Sequence, residues 1–494
     1  MSGLAVRSLA IAVALAAGAA LFAETRHYGL IGFDTHPLIA SARVESPGDF
    51  ADLFVERLMD GRYPSAFYRP LASATFALDE ALWGLDPFGY QLTGALLFTV
   101  LLLGLGALGE KIGGARSRWM AIALPTVFAL HPSYYEIVPI PARRADLLCC
   151  VFAISAVVLT LSRRALAAGV VSLLAILSKE SGYAVPLLVA AAAAGLGDER
   201  GIAARARAAF DAASPALALA ALALAVRLTL LDGLGGHREG LSVLGTLALA
   251  PGVASELARG VVLFGAAKTP LAQLGLLAGL ALAAGGLLLA RRSSPLDGAS
   301  ELSAIGFGFC WGAVFALPYA GAGWVGAWYY MLPAVGGAIS FTALIGWLVR
   351  VSCARAHAVA TRSTCAAAAL LLGAVGLWQA SFAPWFHSYG EWQRATEVAD
   401  EFLEELDRRI VASVPGQRVD APPLPMWAHP REGIPGVSGA AILSDYSVQA
   451  WADLVHPERS VRVLGVAEGV LPEGPEQPSP GEVVVRLSRR RVGY

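Results

Sequence analysis

Charged residues are scarce in this chain: they make up 15% of its 494 residues, while 56% are hydrophobic and the mean hydropathy is +0.59. A soluble globular chain carries about 25% charged residues, so there is too little polar surface here to face water on all sides. Long runs carry no charge at all, among them Ala165 to Leu177, Ala216 to Val226, Leu271 to Ala290 and Ala366 to Leu377. That excludes a soluble enzyme and a disordered chain. Cysteine is sparse as well. Cys149, Cys150, Cys310, Cys353 and Cys365 lie mostly in or beside apolar stretches, with no CxxC and no His at metal-ligand spacing. They exclude a disulfide scaffold and read as small buried hydrophobes. Lysine occurs only at Lys111, Lys179 and Lys268, a compositional bias toward arginine. With a formal net charge of −1 there is no basic field to hold nucleic acid. No repeat of solenoid period is present.

What is there is a series of spans. A membrane helix needs about 20 apolar residues, and stretches at 4–23, 89–109, 119–138, 145–162, 165–178, 182–197, 214–231, 271–290, 303–322, 330–349 and 364–383 meet or approach this. The spans 165–178 and 182–197 are short and read as a tilted pair. About eleven crossings put the termini on opposite sides. Arg7, then Lys111, Arg116 and Arg118, then Arg163 and Arg164, then Arg200, Arg205 and Arg207, then Arg291 and Arg292, and finally Arg350, Arg355 and Arg362 fall on one side. By the positive-inside rule that side is cytoplasmic, which predicts a cell (inner) membrane protein with a cytoplasmic N-terminus and an extracytoplasmic C-terminal segment. Arg7, an apolar core and Leu21-Phe22-Ala23 also fit a leader peptide. The further spans need no leader, so a retained first anchor is expected. Glu256 and Arg259 interrupt 251–268, which reads as a surface or re-entrant helix.

Two segments are expected in water on the outer side. The loop 24–88 includes Phe50, Leu53, Phe54 and Leu58 beyond Pro47-Gly48-Asp49, the pattern of a capped amphipathic helix lying at the interface. The stretch 384–494 has a charged helical run from Glu391 to Arg409, then Pro422-Pro423 and Pro425, then strand-like Val461 to Val466 and Val483 to Leu487. The expectation is thus a polytopic α-helical membrane protein, with residues 1–383 as the transmembrane domain and 384–494 as a small α+β extracytoplasmic domain.

A charge near the bilayer centre costs at least about 2.5–3.5 kcal/mol, so ionisable residues in or just outside spans are functional candidates. Here they gather on the outer side: Asp34, Tyr68-Arg69, His131 and Glu136, Arg143, Arg144 and Asp146, and Lys179-Glu180. The physical reading is a site for an anionic lipid-linked substrate. Asp34 would take the proton of an acceptor hydroxyl. Arg69, Arg143, Arg144 and Lys179 would hold the phosphate of the departing lipid carrier, with Tyr68, His131, Glu136, Asp146 and Glu180 in support. Each residue also has a structural reading. Asp34 fits a solvated loop acid, Arg143 and Arg144 fit salt bridges to Asp146 or Glu136, Lys179 and Glu180 fit an ion pair closing a helical turn, and His131-Pro132 fits a helix end. Trp324, Trp328, Tyr329 and Tyr330 fit an interfacial belt.

The order of motifs resembles a known family. Phe33-Asp34-Thr35-His36-Pro37-Leu38-Ile39, Tyr68-Arg69-Pro70-Leu71, Asp86-Pro87-Phe88-Gly89-Tyr90, Ala129-Leu130-His131-Pro132, Arg144-Ala145-Asp146-Leu147-Leu148 and Leu177-Ser178-Lys179-Glu180 follow one another over roughly 30–200, with a weaker echo at Tyr329 to Pro333. They resemble the transmembrane and TPR-containing O-mannosyltransferases and their bacterial relatives, which are GT-C fold glycosyltransferases. The resemblance implies a polyprenyl-phosphate sugar donor and an inverting transfer on the extracytoplasmic face to a protein, glycan or lipid hydroxyl. Asp34 would stand for the catalytic carboxylate, Arg69 and Lys179 would face the donor phosphate, and Arg144 and Asp146 match the paired motif opening the fourth span. Thr35, Tyr134 and Trp328 depart from the family pattern, and the tetratricopeptide array is missing.

The competing reading is a transporter or flippase for a lipid-linked intermediate, or a non-catalytic subunit of an envelope-glycan assembly. Transporter charges lie near the midplane of broken helices, whereas here they sit at one interface, which favours surface chemistry. Arg227 is the exception and reads as a snorkelling side chain. The reading calls for no cofactor and no metal.

Overall fold

Uncharged runs can form buried backbone hydrogen bonds only as helices in a bilayer, and helices dominate the computed structural model of the chain. It describes residues 2–61, 63, 65–114, 117–233, 235–236, 243–262, 270–293, 299–320, 326–355, 357–382, 390–428, 440–464, 479 and 481–489. In chain order the helices are α1 (Gly3–Thr25), α2 (Thr35–Ser41), α3 (Pro47–Asp52), α4 (Pro70–Trp83), α5 (Pro87–Gly113), α6 (Met120–Ala129), α7 (Arg144–Leu161), α8 (Ala165–Ser178), α9 (Val185–Leu196), α10 (Ile202–Leu231), α11 (Val243–Val262), α12 (Pro270–Ser293), α13 (Ala299–Ala320), α14 (Met331–Cys353), α15 (Val359–Ala380), α16 (Gly390–Ala412) and α17 (Asp445–Val455). Among the described residues, eight helical stretches are long and apolar enough to cross a membrane, and Met120–Ala129, Ala165–Ser178 and Glu180–Leu196 are shorter apolar helices. Each expected span overlaps one of these, but the span expected at 119–138 is α-helical only over Met120–Ala129 and continues as turns to 138. The chain is a multi-pass α-helical membrane protein. Arg116, Trp324, Lys268 and the span ends 321–322 and 383 lie outside the described residues.

Local signals set the helix limits. Asp86 accepts from the Phe88 amide at 3.0 Å, Pro87 opens α5, and Gly114 ends it at φ +53, a conformation that favours glycine. Arg7 at the start of α1 meets Glu110 at the end of α5 at 2.6 Å, so these two helices run antiparallel. The outside of the bundle is itself apolar, with Leu217, Leu222, Leu274, Leu277, Leu370 and Leu377 exposed. A water-facing rim would not look like this.

Two expectations are revised. The cap at 46–49 forms, with a reciprocal Ser46–Asp49 capping box, but α3 ends at Asp52. Leu53 and Leu58 then turn into a local core with Leu30, Leu38 and Ile39, so there is no interfacial helix running through Leu58. The interrupted stretch 251–268 is a packed helix in its described part. Val253, Leu257 and Val261 of α11 are buried in the main core of the bundle.

The C-terminal segment builds a parallel sheet in the order β1 (Arg418–Leu424), β5 (Glu482–Arg489), β4 (Ser460–Leu464), beside a short pair of β2 (Trp427–Ala428) and β3 (Ala440–Ala441). Pro422-Pro423 lie in β1, an edge strand, where a missing amide costs least. The pairing shifts register between Asp420 and Pro423. The part of the expected strand at 465–466 lies outside the described residues. Trp392, Ala395, Ala399, Phe402, Leu406 and Ile410 form one face of α16 and pack with the sheet and α17. The same core takes in Tyr28, Ile31, Tyr135 and Ile140. This unit is therefore seated on the loops at one end of the bundle, opposite the end where α1 begins.

Candidate functional site

Between α8 and α9 the chain makes a tight turn, and this turn positions the site. Gly182 sits so close to α8 that a Cβ there would lie 2.4 Å from the Ala175 backbone. Only glycine allows Lys179 and Glu180 to stand side by side with the turn pressed against α8. Lys179 is 4% exposed, and its Nζ donates to Asp146 Oδ1 at 2.6 Å. The Glu180 carboxylate instead accepts two bonds from Arg69, at 2.7 and 2.9 Å. The neighbours Lys179 and Glu180 thus pair across the fold and not with each other.

Aromatic rings line these pairs. The Arg69 guanidinium lies 4.3 Å from the Phe67 ring centroid, and the Lys179 ammonium lies 5.4 Å from that of Tyr329, both within cation–π range. Tyr329 stacks on Tyr319 with centroids 4.5 Å apart. The aromatic group expected as a belt lies, in its described part, against the charges.

Next to these is a third ion pair. Arg143 Nη1 donates to Glu136 Oε2 at 3.0 Å and also to the Glu136 carbonyl, and its guanidinium lies 4.2 Å from the Trp328 ring. Trp328 touches Tyr329, which joins the two groups. The Glu136 carboxylate is buried, so Arg143 supplies its counter-charge.

Arg144 points elsewhere. Residues two apart on a helix face different ways, and Arg144 turns from Asp146 toward α4. It is 2% exposed and meets Asp79 at 2.5 Å, while Thr93 donates to the other Asp79 oxygen at 2.7 Å. The Phe76 ring lies 4.6 Å from its guanidinium. Asp79 carries no sequence motif.

Asp34 is partly exposed and accepts a hydrogen bond from the Tyr446 hydroxyl at 2.7 Å. Ser447 donates to the Phe33 carbonyl, and the Phe33 ring packs on Trp427 at 4.9 Å. The first outer segment and the C-terminal unit meet at this acid. Behind it, Thr35 donates to the Ile31 carbonyl at 2.6 Å, and burial pushes His36 down to about 4, so its ring is neutral. Tyr68 donates to the Phe54 carbonyl at 2.8 Å. His131 accepts from the Ser133 amide at 3.1 Å and lies 2.8 Å from the Val261 carbonyl. It caps a turn. Tyr134 is buried with its ring 4.4 Å from Phe98.

The structure therefore joins Arg69, Lys179, Asp146 and Glu180 in one cluster, with Arg143 and Glu136 adjoining. It places Arg144 in a separate sealed pair and Asp34 against the C-terminal unit. Sequence reasoning missed Asp79, Tyr446 and the contact of Tyr329 with Lys179. Among the described residues no group of three His, Cys, Asp or Glu side chains is placed to hold a metal ion. An apolar cavity of 370 Å³ lies between α6, α12, α14 and α15, lined by Val127, Leu276, Phe341 and Leu372, with His131 and Gln379 as its polar lining residues.

No family model matches the chain. A stretch of 126 residues, 25% of the chain, is 30% identical to Protein O-mannosyl-transferase F38B6.6 of Caenorhabditis elegans, and it spans 18% of that relative's length. Among solved structures, the archaeal oligosaccharyltransferase AglB from Archaeoglobus fulgidus, in complex with an inhibitory peptide and a dolichol-phosphate, aligns at 13% identity over 92% of this chain and 63% of that one, with a TM-score of 0.42. ArnT from Cupriavidus metallidurans, bound to undecaprenyl phosphate, aligns at 14% identity over 91% and 88%, with a TM-score of 0.41. Over the matched stretch the chain is similar to a protein O-mannosyl-transferase, of which it spans only a small part.

Proposed function

We propose that the chain is a membrane glycosyltransferase that moves a sugar from a polyprenyl-phosphate donor to a hydroxyl of a protein, glycan or lipid acceptor. The observation that carries this reading is the cluster of Arg69 and Lys179 around Asp146 and Glu180 at the end of the bundle that bears Asp34 and the C-terminal unit. Cations preorganised against buried carboxylates are ready to meet a phosphate without solvent reorganisation. A donor phosphate would displace Glu180 from Arg69 and share Lys179 with Asp146. The apolar cavity that reaches His131 offers room for part of a polyprenyl tail.

In this mechanism Asp34 accepts the proton of the acceptor hydroxyl. The acceptor oxygen bonds to the anomeric carbon as the bond from that carbon to the phosphate oxygen breaks, with inversion. The electron pair leaves with the polyprenyl phosphate, whose growing charge Arg69 and Lys179 stabilise, with Arg143 near at hand. Residues 1–383 carry the donor site in this reading, and residues 384–494 form an extracytoplasmic unit that completes the surroundings of Asp34. The N-terminus is cytoplasmic, as the loop charges require.

The test is transfer from radiolabelled polyprenyl-phosphate sugars to membrane extract by the purified protein beside Asp34→Asn. Transfer that falls by about 10²-fold or more in the variant supports the mechanism. Equal transfer by both removes Asp34 from its role. Saturable lipid-phosphate binding without transfer from any donor makes the protein a carrier or an assembly subunit.

A further inference from the structure

Three buried tyrosine hydroxyls near the charged end have acceptors. Tyr68 donates to the Phe54 carbonyl, Tyr90 to the Gly84 carbonyl and Tyr134 to the Ala129 carbonyl, each at 2.8 or 2.9 Å. Tyr319 differs. It is next to last in α13 and 3% exposed, and its hydroxyl has no hydrogen-bond partner among the described residues. A buried hydroxyl without an acceptor is a standing cost to the folded chain, and a ligand that brings an acceptor would remove it.

The fold holds this donor beside the charged cluster. A Cβ at Gly308 would lie 2.4 Å from the Gly336 carbonyl oxygen, and one at Gly336 would lie 2.3 Å from that of Gly308. Helices α13 and α14 therefore touch along their backbones, which only glycine allows. Beyond that contact Tyr319 stacks on Tyr329 with the rings 16° from parallel, and the Tyr329 ring faces the Lys179 ammonium. Asp146 and Glu180 are within electrostatic reach of the Tyr319 hydroxyl. Both are engaged elsewhere, Asp146 by Lys179 and Glu180 by Arg69.

We infer that the Tyr319 hydroxyl binds the lipid-linked phosphate, donating a hydrogen bond to a phosphate oxygen held between Arg69 and Lys179. This rests on the donor reading above. The hydroxyl lacks an acceptor, and the anion drawn to these cations is a set of acceptor oxygens. Tyr319 binds and moves no proton in the transfer.

The experiment is binding of a polyprenyl monophosphate and of the matching free polyprenol to the full chain in phosphatidylcholine nanodiscs. Tyr319→Phe deletes the hydroxyl and keeps the ring, so without either ligand the variant should unfold at the temperature of the parent or above it. Its affinity for the monophosphate should fall about tenfold or more, as expected for losing a hydrogen bond to a charged group, while its affinity for the polyprenol should match that of the parent. Equal loss for both lipids makes Tyr319 a packing residue and overturns the inference. Unchanged monophosphate binding, or a lower unfolding temperature without ligand, overturns it too. In each of these cases monophosphate binding by the parent leaves the donor reading standing. A parent chain that does not bind the monophosphate overturns the donor reading, and this inference with it.

Discussion

The Tyr446 hydroxyl donates to the Asp34 carboxylate at 2.7 Å, joining residues 412 positions apart. The bond fixes one oxygen of a partly exposed acid, and in the proposed mechanism the other would take the acceptor proton. A hydrogen bond to a charged group contributes about 1.5–3 kcal/mol. Tyr446→Phe should therefore lower the turnover of transfer about 10-fold or more with little change in the donor KM, and thermal unfolding should be unaltered. A variant with full turnover would make the contact a docking feature alone.

Asp79 and Arg144 predict a stability effect without a binding effect. Removing one partner of a buried pair costs about 3–5 kcal/mol, because the other charge is left without compensation. Arg144→Met should lower the unfolding temperature markedly, and adding Asp79→Leu should recover most of the loss. Lipid-phosphate binding by the double variant should equal that of the parent. Loss of binding in that folded double variant would return Arg144 to the donor site.

The apolar cavity predicts a tail-length effect. A Cβ at Gly373 would meet nothing within 4 Å, and this residue lines the cavity. Gly373→Leu should fill that space without strain. At about 0.8 kcal/mol per buried methylene, displacing two would raise the KM of a long-chain donor about tenfold, while a short-chain analogue would be unaffected. Equal KM changes for both would move the tail elsewhere.

The spans were legible because charge-free runs and their basic loops follow from local sequence alone. Asp34, Arg69, Lys179 and Glu180 were legible as charges out of place at one interface. Their partners were not. Lys179 meets Asp146 across 33 positions and Arg144 meets Asp79 across 65, and no local pattern encodes a pairing at that distance. Asp79 sits in a short helix where an acid is unremarkable until α7 brings a buried guanidinium to it. The amphipathic pattern through Leu58 misled because Leu53 and Leu58 face a local core, so their spacing marked a turn and not a helix face.

Short helices have a consequence of their own. At 1.5 Å per residue, the fourteen residues of α8 and the twelve of α9 reach about 21 and 18 Å, against a hydrocarbon layer of about 30 Å. In the proposed orientation, a turn between helices this short would place Lys179 and Glu180 roughly 10 Å below the membrane surface. Bilayer thickness would then act on the proposed site: thicker lipid would drive the paired charges further into oil, and thinner lipid would wet them.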